Sequence, residues 1–432
     1  MRYREGHLPD LQNYNLDLIS KLQSSIPKDI LGVLWQAHHL AQDSGQEVYL
    51  VGGAVRDLLL GSKQVDVDIT VIGPSVDFAE KLAPYVGGRV SSMSQFGTVK
   101  LHVAGYTIDI ATAREESYTS PGALPTVRPA PIIEIDLFRR DFTINAMAIG
   151  FIDQDQVELI DPWGGLNDLL QENITVLHSK SFQDDPTRAL RAVRYEQRLG
   201  FTIDPYTEHL MRQDLHYISE VSGERVWNEI ERSLQEDHPE NVISRCQELG
   251  ILKAIHPDFV VHGDIIELFQ RLRIERGVHR ANTRQYLCLV FVTIEPEQRQ
   301  DVASRLKLPG KYLRVLRDLE TIDVLVPQLT RDSLGLDELY RCLRNLNDDT
   351  LVAYYVWTDS ALARERVDLY IGDLKDVRTL LNGKDIVALG VPEGPTVGKI
   401  LEQLLYARIR GEIKTRPEEI EMAKRLAKET TA

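Results

Sequence analysis

Apolar residues recur three and four apart over residues 28–44, which predicts a helix that stops near Gly45. A short apolar run at 47–51 reads as a strand leading into Gly52-Gly53. Residues 65–72 (VDVDITVI) alternate with period two, the mark of a strand with one buried face. Further strands are predicted at 99–103 and 106–111, around the turn at Ala104-Gly105. Residues 115–131 carry Pro121, Pro125, Pro129 and Pro131 and predict a loop. A helix is predicted over 140–148, then a strand over 148–152. From about Asp185 the spacing is helical, at 187–197, 206–214, 223–235 and 239–249. Later breaks fall near Pro257, Gly277, Pro309-Gly310, Pro327, Gly383 and 390–395. The pattern predicts an α+β chain: a small α/β head on a long helical remainder, without fixed-period repeats.

Composition narrows this only a little. At 432 residues, with 43% hydrophobic and 27% charged, the chain reads as an ordinary soluble protein of several domains. No run of 18 apolar residues occurs, and Met1-Arg2-Tyr3-Arg4-Glu5 lacks the apolar core of a signal peptide, so a cytoplasmic protein without membrane contact is expected. Cys246, Cys288 and Cys342 form no CxxC pair, which speaks against a zinc site or disulfide framework. The net charge of −15 is unfavourable for nucleic acid, but distribution matters more than the sum. Basic clusters occur at Arg271, Arg273, Arg276, Arg280 and Arg284, and at Arg305, Lys307, Lys311, Arg314 and Arg317. Either alone reads as a solvated helix face.

The candidate chemistry begins at Gly52-Gly53-Ala54-Val55-Arg56-Asp57, followed by Leu60-Gly61 and Asp66-Val67-Asp68. A strand feeding a glycine pair lets the backbone approach a bound group, and the helix opened there directs its first amides at phosphate. Asp66 and Asp68, two apart on a strand, share a face at roughly 6.5–7 Å spacing. Two such carboxylates can hold a pair of Mg²⁺ ions about 3.5–4 Å apart. Alone, the DxD is simple strand alternation; the glycine pair upstream reverses that reading. Asp109, on a later strand, is the candidate third carboxylate. Arg139, Arg140, Asp141 and Asn145 could grip triphosphate and ribose, since arginine forks onto phosphate and Asp or Asn can read sugar hydroxyls. Asp185 could cap a helix that presents Arg188, and an acid beside a guanidinium can also read a base edge.

These segments resemble the class II tRNA nucleotidyltransferases, a family that includes CCA-, CC- and A-adding enzymes and bacterial poly(A) polymerases. The similarity runs through GG…RD…LG…DxD at 52–68, RRDFTINAMA at 139–148, DPWGG..DL at 161–169, DDPTRALRAVRY at 184–195, GERVWNEIERSL at 223–234 and GKDIVALGVPEGPTVGKIL at 383–401. The resemblance implies a polymerase-beta-like nucleotidyltransferase head (28–155) after an N-terminal extension (1–27). A neck for base recognition (156–238), a helical body (239–330) and a helical, tRNA-binding tail (331–432) would follow. It implies that Asp66 and Asp68 bind two Mg²⁺ ions, and Asp109 stays the candidate third catalytic acid. Gly52, Gly53, Arg56, Arg139, Arg140, Asp141, Asn145, Asp185, Arg188, Arg191 and Arg194 would contact CTP or ATP. The expected reaction is template-independent transfer of CMP or AMP to the 3′ end of tRNA, whose acceptor end and upper half would be held. Where the family often writes EDxxR, this chain has Asp184-Asp185-x-x-Arg188. Its 117–129 loop (SYTSPGALPTVRP) resembles that of A-adding and poly(A)-type members more than the glycine-arginine-rich loop of many CCA-adding ones. No His-Asp dipeptide occurs, so no metal-dependent phosphohydrolase domain is expected.

Overall fold

The computed structural model describes residues 18–62, 66–93, 97–153, 156–275 and 281–431. The predicted strand start at Val65, the break at Gly277, Arg276 and Arg280, and most of the predicted N-terminal extension lie outside the described residues. The chain forms two compact units, Met1–Pro257 and Asp258–Ala432.

In the first unit the elements run α1 (Leu18–Ser25), α2 (Lys28–Asp43), β1 (Glu47–Val51), α3 (Gly53–Leu59), β2 (Asp68–Ile72), α4 (Ser75–Tyr85), β3 (Arg89–Met93), β4 (Thr98–Val103), β5 (Tyr106–Thr112), β6 (Arg114–Ser117), β7 (Thr126–Pro129), α5 (Ile133–Phe138), β8 (Ala148–Asp153) and β9 (Gln156–Ile160). Then come α6 (Gly165–Leu170), β10 (Asn173–Ile174), α7 (Ser181–Asp184), α8 (Arg188–Leu199), β11 (Thr202–Ile203), α9 (Pro205–Asp214), α10 (Gly223–Ser233), α11 (Pro239–Glu248) and α12 (Ile251–Ile255).

Seven strands make one sheet in the order β3-β4-β5-β2-β1-β8-β9. All neighbours are antiparallel except β2 and β5. Period-two alternation sends Ile69, Val71, Val99, Leu101, Ile108 and Ile110 into one apolar cluster with α1, α2 and α4. The intervening residues, Asp68, Lys100 and Asp109 among them, therefore emerge on the opposite face.

Three expectations need correction. The strand expected over 65–72 begins at Asp68, so Asp66 precedes it. The stretch 115–131 is not a simple loop, because β6 and β7 pair antiparallel as a two-stranded ribbon. With only one partner each, these strands have an open edge, where prolines are tolerated. The helix expected over 140–148 does not form. Helix α5 ends at Phe138, Phe142 is extended, and a single 3₁₀ turn covers Thr143–Asn145. The Asp141 carboxylate accepts from the Asn145 side chain and from Phe142 N, a backbone donor that it competes for. Strand β9 and helix α4 were not foreseen.

Helix α6 is clamped to that turn. Asp161 accepts from the backbone of Gly165 (2.7 Å) and Leu166 (2.9 Å), and Thr143 Oγ1 donates to Asp168 at 2.6 Å. A Cβ at Gly165 would collide with the Thr143 carbonyl. Gly165→Ala is expected to destabilise the first unit by about 1–3 kcal/mol, read as a lower melting temperature; an unchanged melt would contradict this packing.

Among the described residues of the second unit, every regular element is a helix. One apolar cluster gathers Leu343, Leu351 and Tyr354, and another Ile386, Leu404 and Ile413. Its helix Gly310–Leu329 carries Pro327 inside its last turn, so the break expected at that proline falls two residues later. Among the described residues no helix is long and apolar enough to cross a membrane. The three cysteines are free.

Candidate active site

The parallel pairing of β2 with β5 sets Asp68 opposite Asp109. Neighbouring strands lie about 4.8 Å apart, so the two carboxylates emerge side by side on the face away from the core. Asp66 projects to the same side as Asp68, since Val67 between them is buried. Asp68 keeps an exposed edge, but partial desolvation of its carboxyl first, and then the Asp109 and Asp66 charges, push it up to about 6 against the pull of Arg140. Asp109 is held by Lys100, whose Nζ donates to both its oxygens at 2.7 and 2.9 Å. Among the described residues no three His, Cys, Asp or Glu side chains are gathered closely enough to hold a metal ion. Carboxylates are the donors a hard divalent cation takes.

A raised carboxyl pKa has a definite sign. The folded protein pays a penalty for the ionised form, which is absent below the ordinary value of 3.8 and complete above about 6. Asp68→Asn is therefore expected to raise the melting temperature of the nucleotide-free protein at pH 8 and leave it unchanged at pH 3.5. Equal shifts at both pH values would remove this electrostatic reading.

Beside Asp68 opens a cavity of about 540 Å³, lined by seven arginines (Arg114, Arg139, Arg140, Arg188, Arg191, Arg225, Arg232) and five acids (Asp68, Glu116, Asp141, Asp185, Glu229), with Gly53, Tyr118, Asn145, Thr187, Tyr195 and Asn228. This cationic excess stands in a chain of net charge −15. Its rim includes the start of α3. Gly52 adopts φ 69°, and a Cβ there would collide with Arg140 Nη1, so glycine allows Arg140 to lie against the turn.

Asp141 joins the head to α8. Its Oδ2 accepts from Arg191 through Nε (2.9 Å) and Nη2. Burial alone would raise its pKa; the charge of Arg191, with hydrogen bonds from Asn145 and Arg191, outweighs burial and holds it well below the usual range. Asp185 Oδ1 accepts from Thr187 N (3.0 Å), Thr187 Oγ1 (2.6 Å) and Arg225 Nη2 (2.8 Å). Arg188 donates to Ser181 Oγ at 2.6 Å and to the Arg139 carbonyl at 2.7 Å.

The cavity thus gathers nine of the sequence candidates: Gly53, Asp68, Arg139, Arg140, Asp141, Asn145, Asp185, Arg188 and Arg191. Gly52, Arg56, Asp66, Asp109 and Arg194 are not among its lining residues. Arg56 is buried and donates to Asn145 Oδ1 at 2.6 Å and Asp57 at 2.8 Å. Arg194 is buried against Glu229 and Glu236. Arg56, Arg191 and Arg194 surround the Tyr195 ring at 5.0, 5.7 and 5.1 Å.

Two groups of lining residues escaped the sequence reading. Arg114 and Glu116 alternate along β6 with period two, and Tyr118 follows directly after it. Arg225, Asn228, Glu229 and Arg232 form an i, i+3, i+4, i+7 polar stripe on α10, opposite Val226, Trp227 and Ile230. That polar stripe was a readable signal.

Two family descriptions match the chain: "Poly A polymerase head domain" over residues 48–175, and "Probable RNA and SrmB- binding site of polymerase A" over 200–261. A solved CCA-adding enzyme in an apo form shares the fold at a TM-score of 0.79 and 30% identity, over 94% of this chain and 97% of that one. The chain belongs to the tRNA nucleotidyltransferase and poly(A) polymerase family. An A-adding tRNA nucleotidyltransferase of Geobacter sulfurreducens is 34% identical over 97% of this chain, which spans 50% of that relative's length. An A-adding tRNA nucleotidyltransferase of Halalkalibacterium halodurans is 29% identical over 96% of both chains. In this family member the head match covers the acids and the 139–145 segment, and the arginine-lined cavity extends beyond it onto α8 and α10.

Proposed function

We propose that the protein transfers AMP from ATP to the 3′ end of a tRNA that already carries CC. The observation that carries nucleotidyl transfer is the β2–β5 register, which sets Asp109 beside Asp68, itself a lining residue of a cavity rich in arginine. The relatives with A-adding names, matched along nearly the whole chain, support adenylate as the group added.

In this reading the acceptor 3′-hydroxyl attacks the α-phosphorus of ATP. A bond forms between that oxygen and phosphorus, the α–β bridging bond breaks, and pyrophosphate departs while the hydroxyl proton passes to solvent. Arg139 and Arg140 would hold the β- and γ-phosphates, assisted by the backbone at Gly52-Gly53. Asp141 and Asn145 would take the ribose hydroxyls. Asp185 and Arg188 would read the base edge, as an acceptor and a donor in fixed relation. Asp66, Asp68 and Asp109 would hold two Mg²⁺ ions, which supply Lewis-acid stabilisation of the entering and leaving oxygens when bound. Asp109 would exchange Lys100 for that role.

A second reading, stepwise addition of the whole CCA, is favoured by the likeness to the CCA-adding enzyme. Incubating purified protein with Mg²⁺, CTP and ATP on tRNAs ending at the discriminator base, at C and at CC separates them. Label entering only the CC-ended tRNA, and only from ATP, is expected. Extension of all three would establish the second reading, and incorporation into none would overturn both.

A further inference from the structure

We infer that Asp136, which does not line the cavity, is the positioning residue that sets both phosphate-facing arginines at once. It rests on the function proposed above for that cavity. Asp136 lies on α5, is 0% exposed, and accepts hydrogen bonds from Arg139, Arg140 and the start of the ribbon. Oδ1 accepts from Arg139 Nε (3.0 Å) and Nη2 (2.8 Å), and from the backbone N–H of Arg114 at 3.0 Å. Oδ2 accepts from Arg140 Nη2 at 2.9 Å. Burial would raise the Asp136 carboxyl, but Arg140 and Arg139 outweigh that and hold it below its ordinary value, so it stays a buried anion.

The consequence is geometric. Arg139 is fixed by two of its nitrogens, and its carbonyl accepts from Arg188, one of the two proposed base readers. Arg140 is fixed beside Gly52, with its field reaching Asp68. The Arg114 N–H ties in the first residue of the ribbon, whose Glu116 also pairs with Arg139 at 3.2 Å. Arginine side chains are long and would otherwise sample many rotamers. A buried carboxylate that accepts from both holds their remaining N–H groups toward one place, so that triphosphate meets an arranged pair. The same charge neutralises part of their mutual repulsion before the ligand arrives.

The test compares two ligands on the purified full chain with Mg²⁺: inorganic pyrophosphate, which needs only the arginines, and adenosine, which lacks them as partners. Asp136→Asn keeps the shape and can still accept from Arg114 N–H, but loses the charge. The expected result is a pyrophosphate Kd raised by about tenfold or more, with the adenosine Kd changed by less than about threefold. Equal loss of both ligands would mean a merely structural role and overturn the inference, as would two unchanged constants. If Asp136→Asn does not fold, the charge-balanced pair Asp136→Asn with Arg139→Gln replaces it, measured against Arg139→Gln alone. A further rise in pyrophosphate Kd in the pair supports positioning of Arg140, and identical constants overturn it. A wild-type protein that binds neither ligand would sink the functional reading beneath.

Discussion

Replacing Asp68 with alanine is expected to lower single-turnover nucleotide incorporation by about 10³-fold or more, while tRNA affinity stays within about threefold. The size follows from position. Asp68 opens β2, where pairing to β1 on one side and β5 on the other fixes the strand, and of the three acids it alone lines the cavity. Adding Asp66→Ala leaves Asp109 alone of the three acids and should extinguish incorporation. RNA affinity should persist, because an exposed carboxylate repels phosphate and contributes nothing to holding the acceptor. Measuring tRNA binding by filter retention beside the rapid-quench rate separates the two effects. Undiminished incorporation by the double variant would end the catalytic assignment.

The second large effect concerns choice rather than speed. Arg188→Ala should loosen discrimination among ATP, CTP, GTP and UTP by about 5–150-fold, the range of about 1–3 kcal/mol for one good base-edge pair. The geometry supports this because Arg188 is fixed at both ends of its guanidinium, by Ser181 and by the Arg139 carbonyl, so its position relative to the ribose and phosphate sites is constant. Asp185 is fixed in turn by Thr187 and Arg225. Competition assays with mixed triphosphates read the ratio of kcat/KM values directly. An unchanged preference profile in Arg188→Ala would place base reading elsewhere, with Arg225 then the next cation to remove.

The parts legible in the sequence are those set by local rules. Alternation at 65–72 put Asp66 and Asp68 on one side because strand side chains have period two, and the structure keeps that parity although the strand starts later. The helices at 188–199, 205–214 and 223–233 followed their apolar spacing. What escaped was non-local or depended on a side chain competing with the backbone. The neighbour of Asp68 is Asp109 because β2 pairs with β5 and skips β3 and β4, and nothing in either segment states that pairing. Four prolines suggested a loop where a ribbon forms, since pairing on one edge leaves proline room. Where a helix was expected, a 3₁₀ turn forms, with the Asp141 carboxylate accepting from the Phe142 N–H and the Asn145 side chain. That turn carries Asn145 into the cavity and frees Asp141 to meet Arg191, fifty residues away in the chain.

A crystal structure with Mn²⁺ and a non-hydrolysable ATP analogue, read by the manganese anomalous signal, tests the proposed site most directly. The expected map shows manganese within coordinating distance of Asp66 and Asp68, and the terminal phosphates against Arg139 and Arg140. Manganese peaks away from those acids, or a triphosphate bound outside the cavity, would contradict the assignment.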